Sequence, residues 1–202
     1  KLLGGKVREK LRTYTYLYPE PTQLASEFYT SPILSSEAAE KAVALGFTAI
    51  KFDPAGPYTI YGGNQPTLYD LELSESFCAS IRSTVGTKAD LLFGTHGQFT
   101  PSGAIRLARK IEKYDPLWFE EPTPPDSARN MHTVSKHTKI PIATGERLTT
   151  KYEFAELLRA GAASILQPAL GRVGGIWEAK KISSIAEVFS AQIAPHLYAG
   201  PI

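Results

Sequence analysis

Leu117-Trp-Phe-Glu-Glu-Pro122, a helical pattern from about Asp126 to His137, and then Ile140-Pro-Ile-Ala-Thr-Gly-Glu-Arg147 decide how this chain folds. A short apolar run, a helix-length segment and a second short apolar run read as strand, helix, strand. A helix between two strands carries the chain back across the sheet, so the strands lie parallel. Both runs are apolar until their last residues, where Glu120, Glu121 and Glu146 follow.

The same unit repeats on either side. Upstream, Arg12-Thr-Tyr-Thr-Tyr-Leu-Tyr18 alternates like a strand, and Phe47-Thr-Ala-Ile-Lys-Phe-Asp53 and Ala89-Asp-Leu-Leu-Phe93 are further strands. Ser35 to Leu45, opened by Ser35-Ser36 as a cap and closed by Gly46, Tyr69 to Val85, and Ser102 to Lys113 are helices. Downstream come a helix from Thr149 to Arg159, a strand Ala163-Ser-Ile-Leu-Gln167, a helix from Gly175 to Val188 and a strand Ser190-Ala-Gln-Ile-Ala194. Later strands start near 89, 117, 140, 163 and 190, a regular spacing. The expected fold class is α/β: a (β/α)8 TIM-like barrel running from about strand 1 to strand 7. Residues 1–202 form one incomplete barrel domain, without the last βα unit. A doubly wound open sheet is the competing architecture, but no glycine fingerprint follows the first strand. The longest connection, Pro54 to Leu68, is rich in Gly, Pro, Tyr and Asn. It leaves the C-terminal end of a strand, where a barrel carries its binding loops.

Composition excludes some functions. The 202 residues carry 22 basic and 20 acidic side chains for a formal charge of +2, and neither sign runs in a block. That argues against a nucleic-acid or membrane-surface partner. No apolar run approaches the roughly 20 residues of a membrane span. The single cysteine, Cys78, precludes an internal disulfide, falls in a helical pattern and reads as a buried residue. It fits a reducing compartment, and a cytoplasmic location is expected. The chain does not begin with Met, so the lack of a signal pattern carries little weight.

In a parallel barrel, chemistry collects at the C-terminal ends of the strands. Read there, the chain presents Lys51 and Asp53, then Gly94-Thr-His96, Glu120 and Glu121, Glu146 and Arg147, Gln167 and Ala169, and Pro195-His196. Glu120 and Glu146 on neighbouring strands would repel each other, and a divalent cation would relieve that repulsion. Oxygen ligands suit Mg2+. The alternative is that the carboxylates pair with Arg147, Arg172 or Lys51. Lys51 interrupts an apolar strand. It is either a lysine of depressed pKa acting as a base or a counter-ion of Glu120 or Glu146. His96 and His196 follow strands in short turns and suit acid or base roles. Glu121, next to Glu120 on a strand, should point the other way and matter less. His132 and His137, on a helix pattern, read as surface or packing residues.

Trp118-Phe-Glu-Glu-Pro122, Gly145-Glu-Arg-Leu148, Gln167-Pro-Ala-Leu-Gly-Arg-Val-Gly-Gly175, and Ala194-Pro-His196 with Gly200-Pro-Ile202 occur in that order. Together they resemble the enolase superfamily, in the mandelate racemase subgroup, and its galactonate dehydratase-like acid-sugar dehydratases. The resemblance implies that Glu120 and Glu146 are two of three carboxylate ligands to Mg2+. It makes His196 the base that removes the proton alpha to the substrate carboxylate, and His96 the acid that protonates the leaving hydroxyl. Lys51 matches the first lysine of a Lys-x-Lys pair. The implied function is Mg2+-dependent dehydration of a sugar acid to a 2-keto-3-deoxy acid through an enediolate. A racemase or cycloisomerase of the same superfamily and a non-catalytic homologue are the alternatives.

The chain departs from the family at three places: Gly94 and Ala169 stand where the family has Asp, and Asp53 where it has the second lysine. A third metal ligand must then come from elsewhere or be replaced by water. Asp53 lies two residues past Lys51 on the same face and offers oxygen, so Glu120, Glu146 and Asp53 are the expected metal set. His96 is the alternative. The family also has an N-terminal capping domain and an eighth strand, and the chain reads as a fragment without them. At full length it is expected to be a homo-oligomer acting on a small sugar acid.

Overall fold

The structure is a computed structural model describing residues 3–54 and 64–197. Residues 55–63 of the expected binding loop, and the closing Gly200-Pro-Ile202 motif, lie outside the described residues. Seven strands, β1 (Thr15–Tyr16), β2 (Ala49–Phe52), β3 (Asp90–Gly94), β4 (Trp118–Glu120), β5 (Ile142–Thr144), β6 (Ile165–Leu166) and β7 (Gln192–Ile193), form one sheet in sequence order. Every neighbouring pair is parallel. Helices α1 (Ala25–Phe28), α2 (Pro32–Ala44), α3 (Leu68–Val85), α4 (Pro101–Ile111), α5 (Ala128–Ser135), α6 (Lys151–Arg159) and α7 (Ile176–Val188) fill the crossovers. An unbroken parallel order with a helix in each crossover is a (β/α)8-type barrel through its seventh strand, as the spacing predicted.

Two helix starts differ from expectation for one reason. The Ser31 hydroxyl, not Ser35 or Ser36, accepts from Leu34 N, and Pro32 sits at the first helical position, where its missing N–H does no harm. Ser35 and Ser36 are buried inside α2. Likewise Ser127, not Asp126, caps α5 by accepting from Asn130 N. The short α1 was not foreseen. Thr67 with Asp70 and Thr150 with Glu153 form capping boxes that start α3 and α6.

The period of two along each strand divides the side chains into two cores. Ile50, Phe52, Leu91, Phe93, Phe119, Ile142 and Leu166 point outward into the main core with the helices. Phe93 and Phe119 meet there with ring centroids 4.8 Å apart. Ala49, Leu92, Trp118, Ala143 and Ile165 point inward and form a second cluster, with Tyr14 and Ala194 against it. This inner layer plugs the barrel and supports everything above it. Among the described residues no helix is long and apolar enough to cross a membrane, and Cys78 is buried as expected.

Phe119→Ala leaves a cavity between sheet and helices. It should lower stability by about 3–5 kcal/mol, whereas Leu45→Ala, at a residue 80% exposed, should change it by less than about 0.5 kcal/mol. Urea unfolding of the full-length protein checks both.

Candidate active site

Two residues further along each strand from the inner apolar layer comes the next inward position. These positions are Lys51 above Ala49, Gly94 above Leu92, Glu120 above Trp118, Gly145 above Ala143, Gln167 above Ile165 and His196 above Ala194. The alternation that packs the barrel therefore aims a ring of polar groups and glycines into its mouth.

Glu120 lies at the centre of this ring and is 1% exposed. Lys51 Nζ donates to its Oε1, while Gln167 Nε2 (2.6 Å) and Trp118 Nε1 (3.1 Å) donate to Oε2. Lys51 belongs to β2 and Glu120 to β4, so their ion pair spans β3. It passes over Gly94: a Cβ at that position would stand 3.1 Å from Lys51 Cε, tighter than ordinary packing. The lysine is buried, and its ammonium lies 5.6 Å from the centre of the Tyr16 ring. Burial works to lower its pKa, but Glu120, then Tyr14 and Glu146, outweigh burial and hold it above the ordinary lysine value. The structure places Lys51 as a counter-ion of Glu120. Burying this pair separately would leave two uncompensated charges.

Glu121 is also buried, but its carboxylate turns to the end of β5. Thr144 Oγ1 (2.5 Å) and Gly145 N (3.0 Å) donate to Oε1, and Arg147 Nη2 (2.6 Å) donates to Oε2. Gly145 has φ +126°, and a side chain there would collide with the Phe154 ring, so the bend into Glu146 needs glycine. Glu146 then returns to the mouth, 3.5 Å from His196 Nε2. Burial, then the charges of Glu121 and Glu120, push the Glu146 carboxyl above its usual range against the smaller pull of His196 and Lys51. His196 is held by a bridge between its strand and Ala169, and its N–H donates to Pro168 O at 3.2 Å.

On the opposite flank, His96 Nδ1 lies 3.1 Å from Asp53 Oδ2. His96 has φ +52°, a left-handed backbone that non-glycine residues rarely adopt and that accumulates at functional sites. The sequence-derived residues therefore sort into three pairs: Lys51 with Glu120, Glu146 with His196, and Asp53 with His96. His132 bonds the Gly161 carbonyl just after α6 and His137 the Thr133 carbonyl on α5, both away from the mouth.

Burial together with the charges of Glu121 and Glu120 raises the Glu146 carboxyl, and the carboxylate oxygens of Glu120 and Glu146 fit a divalent cation. Among the described residues no three His, Cys, Asp or Glu side chains stand together at metal-holding spacing. Gly94 brings no ligand, and Asp53 stands beside His96. Arg147, expected as a possible counter-ion of Glu120 or Glu146, pairs instead with Glu121. The available signal for that pair was a lone arginine right after Gly145-Glu146 at a strand end.

Residues 34–202 match the family described as Enolase C-terminal domain-like. The chain is 33% identical over 202 residues to a D-galactonate dehydratase of Ralstonia pickettii (strain 12J), covering all of this chain and 49% of that protein. It is 32% identical over 205 residues to a D-gluconate dehydratase of Thermoproteus tenax, covering all of this chain and 38% of that one. A mandelate racemase/muconate lactonizing enzyme structure from Sulfitobacter sp. superposes with TM-score 0.96 at 63% identity, over 99% of this chain and 50% of that chain. The chain spans about half or less of the length of these relatives. The ordered motifs, the parallel barrel and these matches lead to one conclusion: the chain belongs to the enolase C-terminal domain-like family, among mandelate racemase and muconate lactonizing enzyme relatives.

Proposed function

We propose that this chain supplies the barrel of a Mg2+-dependent acid-sugar dehydratase, a hydro-lyase that turns a sugar acid into a 2-keto-3-deoxy acid. The observation that carries this reading is the pair of histidines on two sides of the acidic centre, each next to its own carboxylate. Elimination needs a base for the alpha proton and a separate acid for the departing hydroxyl, and two such histidines match that need. Relatives named D-galactonate and D-gluconate dehydratase support the substrate class.

His196 takes the proton alpha to the substrate carboxylate, and the nearby Glu146 favours the imidazolium that results. His96 gives a proton to the beta-hydroxyl as its bond to carbon breaks, so water leaves. The enol that remains tautomerises to the ketone. Glu120 and Glu146 would hold the metal, and Asp53 pairs with His96. Lys51 pairs with Glu120 and adds positive charge at the mouth. When bound, Mg2+ supplies positive charge for the carboxylate oxygens that gain electron density as the proton leaves.

In the full-length protein, Glu146→Gln should abolish dehydration and weaken Mg2+ binding by more than about 100-fold, beyond the range of outer-shell changes. Activity near the wild-type level would sink the metal reading. His196→Asn should stop exchange of the alpha proton with solvent deuterium. His96→Asn should slow elimination by about 100-fold or more while exchange continues. Proton NMR in deuterated buffer separates the two, and unchanged exchange in His196→Asn would move the base elsewhere.

A further inference from the structure

Glu121 takes no part in the chemistry above, yet it is wholly buried and touches both halves of the site. Its carboxylate accepts from Thr144, Gly145 and Arg147, the residues on either side of Glu146. Its main-chain carbonyl accepts from Thr95 Oγ1 at 2.9 Å and from Gly97 N at 2.6 Å, the residues on either side of His96. Its own N–H donates to Ala143 O at 2.9 Å, tying it to β5.

The backbone makes this double role possible. Glu121 has φ +47°, which breaks the strand's alternation just after Glu120. An extended residue here would send its side chain outward. The left-handed turn instead sends the carboxylate towards the end of β5 and the carbonyl towards the turn after β3. Arg147 closes the bracket. Its guanidinium holds the Glu121 carboxylate on one side, and on the other it lies so close to Gly97 that a side chain there would collide with it.

We propose that Glu121 is a positioning residue that sets Glu146 and His96 together, without touching substrate. The inference rests in part on the proposed function, which makes those two residues matter, but its first test does not depend on it. Glu121→Gln keeps the shape and removes the charge that Arg147 pairs with. In the full-length variant, amide hydrogen exchange should speed up by at least about tenfold in segments 144–148 and 95–98, with the rest of the barrel unchanged. Mg2+ affinity should fall about 10–100-fold, as when groups that orient a ligand are removed. At saturating Mg2+ elimination should still lag behind alpha-proton exchange, because His96 is displaced. A folded Glu121→Gln variant whose exchange stays within about twofold of wild type in either segment would overturn the proposal. So would protection lost throughout the barrel, which marks a residue of general stability. Should Glu121→Gln fail to fold, Thr144→Val decides, since it removes one donor from the same carboxylate. It should loosen 144–148 alone, and unchanged exchange there overturns the proposal. A wild-type protein that binds no Mg2+ defeats the proposed function and leaves the exchange result to be read by itself.

Discussion

Two consecutive glutamates are buried at the end of one strand, and the site is arranged around giving both their partners. A carboxylate withdrawn from water is tolerated only where donors and opposite charge replace its hydration. Glu120 finds them across the barrel in Lys51, Gln167 and Trp118. Glu121 finds them on β5 in Thr144, Gly145 and Arg147. The Glu146 carboxyl, by contrast, is raised by burial and by its neighbours' charge, with His196 at 3.5 Å and the Lys51 charge pulling the other way. A carboxyl raised in this way beside two others is where a cation would add opposite charge.

The barrel makes this arrangement possible by a simple count. Residues that pack the inner layer and residues that line the mouth differ by two positions on the same strand. The plug of Ala49, Leu92, Trp118, Ala143 and Ile165 therefore fixes the height at which Lys51, Glu120 and Gln167 appear. For that reason much of the site was legible without coordinates. Apolar runs ending in Lys51, Glu120, Gln167 and His196 state both the strand and which side chain faces in.

The rest lay where that period fails. Glu121 and His96 have left-handed backbones, so counting by two misdirects their side chains, and Glu121 was read as pointing away and mattering less. Glu146 reaches the mouth by a glycine bend after β5, not by strand alternation. The pairing of Lys51 with Glu120 skips a strand and spans 69 positions, so the sequence offers Lys51 as a counter-ion of Glu120 or Glu146 without choosing between them. It is the absent side chain of Gly94 that opens the passage. With no side chain at this position, the chain has room there for the ammonium group of Lys51.

The indole of Trp118 gives the molecule an optical property. The chain has two tryptophans. Trp118 is buried in the inner layer with its N–H on Glu120 at 3.1 Å, while Trp177 is 63% exposed on the surface. An aqueous quencher would extinguish Trp177 first and leave emission dominated by an indole bonded to the central carboxylate. A change in the charge borne by Glu120 alters the field on that ring directly. The barrel thus contains its own fluorophore, wired to the residue on which its electrostatics turn.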